Sequence, residues 1–121
     1  MIQVERTDYV SVPVRDLERA IRFYSETLGI PRNPGGAPAS NPEFETGNLT
    51  ISLRQADGDE RAAGYVALRV PDVAQARGQL VDDGVEFTTE VFDTGVCHVA
   101  FFSDPDGNGL ALHRRYAPHA E

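Results

Sequence analysis

The side chains best placed to do chemistry in this sequence are the phenols of Tyr9 and Tyr65, the guanidinium of Arg54, the single thiol of Cys97, and the imidazoles of His98 and His113. A thiol beside an imidazole suggests a nucleophile and its base. Cys97 and His98 are adjacent, however, and adjacent residues of a strand point to opposite faces, so this pair cannot work together. His113, on the next strand, shares the face of Cys97 and is expected diagonally from it. Cys97 otherwise packs as a small apolar group. A phenol ordinarily loses its proton near pH 10, so Tyr9 or Tyr65 could act as acid or base with His113 only if that value were pulled well down.

Metal chemistry has weak signals. Glu43 and Glu45 precede the strand that carries Ser52 and can reach the same side from a short edge segment, but one histidine with two flexible carboxylates is a poor ligand set. Asp104, Asp106, Asn108 and Gly109 match the opening of a calcium loop of the EF-hand type. Such a loop needs a bidentate glutamate at its twelfth position, where this chain has Arg115, and helices on both sides. The run is read as a structural turn.

The elements that position these groups follow from periodicity. Val10, Val12 and Val14 alternate with Tyr9, Ser11 and Pro13. Leu49, Ile51 and Leu53 alternate with Thr50, Ser52 and Arg54, and Val66, Leu68 and Val70 with Tyr65, Ala67 and Arg69. Each strand has one aliphatic face for packing against helices and one mixed, hydroxyl-bearing face. Residues 96–103 and 110–115 flank the turn-rich run from Asp104 to Gly109 and form a hairpin. Its mixed face carries Cys97, Val99, Phe101, Ala111 and His113, and His98 falls on the helix side.

One helix opens at Asp16, an N-cap, and runs through Leu17, Ala20, Ile21, Tyr24 and Leu28 to Gly29. A second opens at Pro71 and Asp72, carries the stripe Val73, Ala76, Leu80 and Val81, and ends at Gly84. The Pro- and Gly-rich stretch from Pro31 to Pro42 reads as a loop and a candidate lid.

These elements repeat. Tyr9, Val12, Val14, Asp16, Leu17 and Ala20 are matched, at a constant offset of 56, by Tyr65, Leu68, Val70, Asp72, Val73 and Ala76. Residues 1–121 are therefore expected to form one domain of two related modules, about 1–58 and 59–121. The formal net charge is -8 and all 11 basic residues are arginine, which argues against nucleic acid as a partner. No stretch reaches the roughly 20 apolar residues of a membrane span, so no membrane partner is expected. The opening residues lack the apolar run of a signal peptide, and one cysteine excludes an internal disulfide; both fit a cytoplasmic location.

The run Val14-Arg15-Asp16-Leu17-Glu18-Arg19-Ala20-Ile21-Arg22-Phe23-Tyr24, followed by Leu28-Gly29, resembles the first helix of the vicinal oxygen chelate superfamily, which includes glyoxalase I, bleomycin-resistance proteins and extradiol dioxygenases. Phe101-Phe102-Ser103-Asp104-Pro105-Asp106-Gly107-Asn108 resembles that superfamily's closing hairpin. The resemblance implies an α+β fold of two βαβββ modules, with a curled mixed sheet forming a cup, helices outside, and a homodimer. In its metal-dependent members, a divalent ion is held from the first strand of each module and from the last strands. Those positions fall here on Tyr9, Tyr65, Ser52 and Ala111, none a usual ligand, so no metal and no other cofactor is expected.

What remains is a cup whose ligand-binding residues are read as Tyr9, Ser52, Arg54, Tyr65, Cys97, Phe101 and His113. Aromatic faces provide contact area, while hydroxyls, one guanidinium and one imidazole orient a bound molecule. The expected function is metal-free binding of a small molecule, in the manner of the bleomycin-resistance branch, and the acidic balance suits a cationic organic compound. The alternative is a lyase, isomerase or dioxygenase of the superfamily with displaced metal ligands or tyrosine–histidine acid–base chemistry.

Overall fold

Two short mixed sheets grow from the alternating segments. In the first, β1 (Tyr9–Val14) pairs in parallel with β3 (Thr50–Gln55), and β2 (Glu43–Glu45) pairs antiparallel with β3, giving the order β1-β3-β2. In the second, β4 (Tyr65–Arg69) pairs in parallel with β7 (Gly109–Arg115). β6 (Cys97–Ser103) and the two-residue β5 (Phe92–Asp93) complete the order β4-β7-β6-β5. The computed structural model describes residues 1, 3–33 and 40–118. By contacts the chain divides into two units, Met1–Ala62 and Ala63–Glu121. The fold is mixed α+β, with a strand-helix-strand plan in each unit.

The second unit is βαβββ, as expected. Among the described residues the first has only β1, a helix, β2 and β3 as regular elements. The strand that would complete it is reduced to a bridge between Arg32 and Phe44, backed by hydrogen bonds from Asn33 N to Glu43 O (2.9 Å) and Glu45 N to Pro31 O (2.9 Å). The start of the expected Pro31 to Pro42 loop is thus paired with β2. The centre of that stretch, and with it the expected lid, lies outside the described residues.

The helices begin where their caps predict. Asp16 accepts from Arg19 N (3.1 Å) to open α1 (Leu17–Arg22), and Asp72 accepts from Gln75 N (3.0 Å) to open α2 (Val73–Asp82). The first helix departs from expectation after Arg22: Phe23–Thr27 is a π-helical turn, with Leu28 N bonded to Phe23 O (2.9 Å). This seats Tyr24 in the first unit's core, 5.7 Å from the Phe44 ring. At the end of α2, Val85 N reaches Leu80 O (2.9 Å) and Gly84 N reaches Val81 O (3.0 Å), with Gly84 at φ 91°, a Schellman ending. Val81, placed in the apolar stripe by its spacing, is exposed.

In each unit the helix side of the sheet is largely buried, and on the other face Ser52 in the first unit and Cys97, Val99 and Ala111 in the second are buried as well. In the first, Val12, Val14, Ile51 and Leu53 lie under α1 with Tyr24 and Phe44. In the second, Leu110, Leu112, Ala100 and Phe102 lie under Val73 and Leu80 of α2. Val66 and Leu68, on the edge strand β4, are only half-buried. Gly109 lets β4 approach: a Cβ there would stand 3.0 Å from both the Gly64 carbonyl oxygen and Tyr65 Cβ.

Candidate functional site

The register of the first sheet gathers its polar face. Tyr9 lies opposite Thr50, Ser11 opposite Ser52 and Pro13 opposite Arg54, while β2 sets Glu43 beside Ser52 and Glu45 beside Thr50. Ser52 is buried, and Tyr9 is 59% exposed at the start of its strand. Glu45 accepts the Thr50 hydroxyl (2.7 Å), and Asn33 Nδ2 donates to Glu43 (3.2 Å) and Glu45 (3.5 Å). The two carboxylates are thus held to the sheet face, where the sequence suggested they could reach.

Arg54, expected to orient a ligand, is already engaged. Its Nη1 and Nη2 donate to the two oxygens of Glu60 (2.8 and 2.5 Å), and its Nε donates to Ser11 Oγ (3.1 Å). The fork-to-fork geometry is the strongest form of this pair. Hydrogen bonding from Arg54, helped by the Asp57 amide (3.2 Å), pulls the Glu60 pKa down to about 2, and the same bond raises that of Arg54. Glu60 was not singled out in the sequence because it lies in the polar turn run Asp57-Gly58-Asp59-Glu60. The available signal was that a strand arginine needs a carboxylate close by in the chain.

The folded pKa of Glu60 lies below the ordinary 4.5, so the pair's contribution is full above that value and is lost as pH falls toward 2. With the side chains 37% and 35% exposed, water weakens the pair and the effect is small. Glu60→Gln is expected to flatten the acid limb of stability, read as a smaller drop in urea midpoint between pH 5 and pH 3 than in the unaltered chain.

In the second unit, the register places Phe101 opposite Ala111, Val99 opposite His113, Cys97 opposite Arg115, and Phe92 of β5 opposite Val99. Three rings follow one another on this face. Tyr65 meets Phe101 edge-on (4.9 Å between centroids, 87° between planes), and Phe101 stacks with Phe92 (6.1 Å, 25°). Tyr65 is 59% exposed, Phe92 42%, and Phe101 is half-buried between them. Phe92 was missed because a two-residue strand has no period to read.

The geometry disfavours two chemical pairings. Cys97 and His113 share a face as diagonal neighbours, and among the described residues no hydrogen bond joins them. Cys97 is buried, with its sulfur 3.0 Å from Thr94 Oγ1. Tyr65 pairs with Gly109 and Arg69 with His113, so four residues of β7, about 13 Å, separate the levels of Tyr65 and His113. Tyr65 and His113 therefore cannot exchange a proton directly.

The positions at which the superfamily's metal-dependent members hold an ion do not fit one here. They carry two phenols (Tyr9, Tyr65), a buried hydroxyl (Ser52) and the methyl of Ala111, which packs beside Ala67 in the register. None is an imidazole or a carboxylate. Among the described residues no group of three or more His, Cys, Asp or Glu side chains is placed to hold a metal. No described helix is long and apolar enough to cross a membrane.

A repeated strand-helix unit with mixed sheets and aromatic and polar groups on their faces defines the class. Residues 6–112 match the model of the Glyoxalase/Bleomycin resistance protein/Dioxygenase superfamily, and the chain belongs to that superfamily. It is 30% identical over 117 residues to a lactoylglutathione lyase of Escherichia coli O157:H7, and 31% identical to that of Salmonella typhimurium. In each case the match covers 82% of this chain and 84% of the relative. Among solved structures it is similar to TnmS3, an antibiotic binding protein from Streptomyces sp. CB03234, with 25% identity, a TM-score of 0.79 and coverage of 95% of this chain and 99% of that one. A glyoxalase/bleomycin resistance protein from the same organism matches at 26% identity and TM-score 0.71, covering 89% and 99%.

Proposed function

We propose that this chain is a small-molecule binding protein that works without the superfamily's usual metal. The observation that carries the reading is the donor set: Tyr9, Ser52, Tyr65 and Ala111 offer a divalent ion neither imidazole nor carboxylate. The similarity to TnmS3, an antibiotic binding protein, supports binding as a use to which this fold is put. In the second unit the row Tyr65, Phe101 and Phe92 supplies aromatic surface and His113 a polar group for orientation, and in the first unit Ser52 supplies another polar group. Glu43, Glu45 and a net charge of -8 favour a cationic organic ligand, which ring faces also attract. Arg54 acts in this reading through its lock on Glu60 and Ser11, which fixes the polar face, rather than as a free cation. The reading keeps one domain, 1–121, working as a homodimer.

The identity with lactoylglutathione lyases favours a second reading, a lyase or isomerase with relocated ligands. Elemental analysis of protein purified without chelator, followed by a thermal-shift screen of organic cations with and without divalent metals, separates the two. Binding should raise the melting temperature without metal, since a ligand that binds only the folded state stabilises it. One stoichiometric divalent ion, with ligand response only in its presence, would sink the proposal.

A further inference from the structure

The helix side of the second sheet has a feature that the ring row on its other face leaves unused. Between the start of α2 and the strands lies a cavity of about 330 Å³ lined by Pro71, Asp72, Val73, Ala74, Val91, His98 and Arg114. Its volume is at the small end for organic ligands. His98 and Arg114 are register partners on β6 and β7, so their side chains leave the sheet together on this side.

Arg114 is the telling group. It is half-buried, yet among the described residues its side chain has neither an ion pair nor a hydrogen bond. Other half-buried arginines of the unit are engaged: Arg77 with Thr89 O and Glu90, Arg115 with Ala117 O and Pro118 O. A partly desolvated cation without a partner favours an anion. Among the described residues neither nearby carboxylate, Asp72 or Asp93, pairs with Arg114. Asp72 accepts from Gln75 N, and Asp93 takes Gly95 N (2.8 Å) and the Tyr116 hydroxyl (2.7 Å), with His98 Nε2 at 3.5 Å. The rest of the lining is apolar: Pro71, Val73, Ala74 and Val91.

We propose that this cavity is a second, independent binding site for a small organic anion, a carboxylate or phosphate monoester. Its charged head pairs with Arg114 beside His98, and its short carbon stem lies on Val73, Ala74 and Val91. The acidic chain repels anions in general, so any that bind must be held locally.

The test is a titration of the isotope-labelled protein with butyrate, ethyl phosphate and inorganic phosphate at constant ionic strength, read by amide chemical shifts. The expected result is saturable shifts at Val73, Ala74, Val91, His98 and Arg114 with butyrate or ethyl phosphate. They should weaken at least tenfold in Arg114→Gln and be recovered in part in Arg114→Lys. Ala74→Met, an exposed helix position that tolerates the longer side chain, should block the stem without touching the charge, and stands in if Arg114→Gln fails to fold. The proposal is overturned if no organic anion gives saturable shifts, if inorganic phosphate binds as tightly as both, or if the shifts persist in Arg114→Gln or Ala74→Met.

Discussion

Asp104→Ala is expected to lower the stability of the chain by about 3 kcal/mol. Asp104 is buried, and its Oδ1 accepts the amides of Asp106 (2.9 Å) and Asn108 (2.8 Å) while Oδ2 accepts Asn108 Nδ2 (2.9 Å). Alanine leaves those donors in a buried turn without this acceptor, and the cost is set by their desolvation. Asp104→Asn keeps one acceptor oxygen and should recover part of the loss. Urea unfolding of the three proteins measures the order. The same geometry explains why the calcium-like run is structural: both oxygens of Asp104, its first carboxylate, are turned onto the hairpin's own N–H groups. Added calcium should therefore leave the unfolding midpoint unchanged. An equal midpoint for Asp104→Ala and the unaltered chain would mean that the turn is held by its backbone alone.

The legible parts of the fold were those fixed by local rules. Period-two alternation placed Ile51, Leu53, Leu110 and Leu112 correctly on the packed faces, and the side chains of Asp16 and Asp72 marked the helix starts. What escaped depended on partners distant in the chain or on elements too short to have a period. The π-helical turn at Phe23–Thr27 changes a bond from i−4 to i−5 without altering composition. Val81 has the spacing of a core residue, but the apolar stripe of so short a helix is narrow and Val81 lies beyond its edge. The site followed the same division. Which residues share a face was readable, whereas the occupation of Arg54 by Glu60 and the addition of Phe92 to the ring row were not. Nor could alternation give the distance along a face, which is what separates Tyr65 from His113.

That distinction between sharing a face and being in contact directs the strongest test of binding. Phe101 touches both exposed rings, Tyr65 at 4.9 Å and Phe92 at 6.1 Å, so it fixes the orientation of each. Phe101→Ala is expected to weaken any ligand of this face at least tenfold, since aromatic contacts contribute about 0.5–1.5 kcal/mol each beyond area burial and two neighbours lose their support together. Phe101→Leu keeps apolar volume but not the ring, and should show most of the affinity loss with little loss of stability, whereas Phe101→Ala shows both. Isothermal titration of a compound found by the thermal-shift screen, paired with unfolding curves of the same variants, separates packing from recognition. Tyr65→Phe, which removes only the hydroxyl, should keep the ring contacts and lose affinity only where the ligand bonds that oxygen. If Phe101→Leu binds as tightly as the unaltered chain, the ring row is packing and the ligand must be sought on the polar face around Ser52, Glu43 and Glu45.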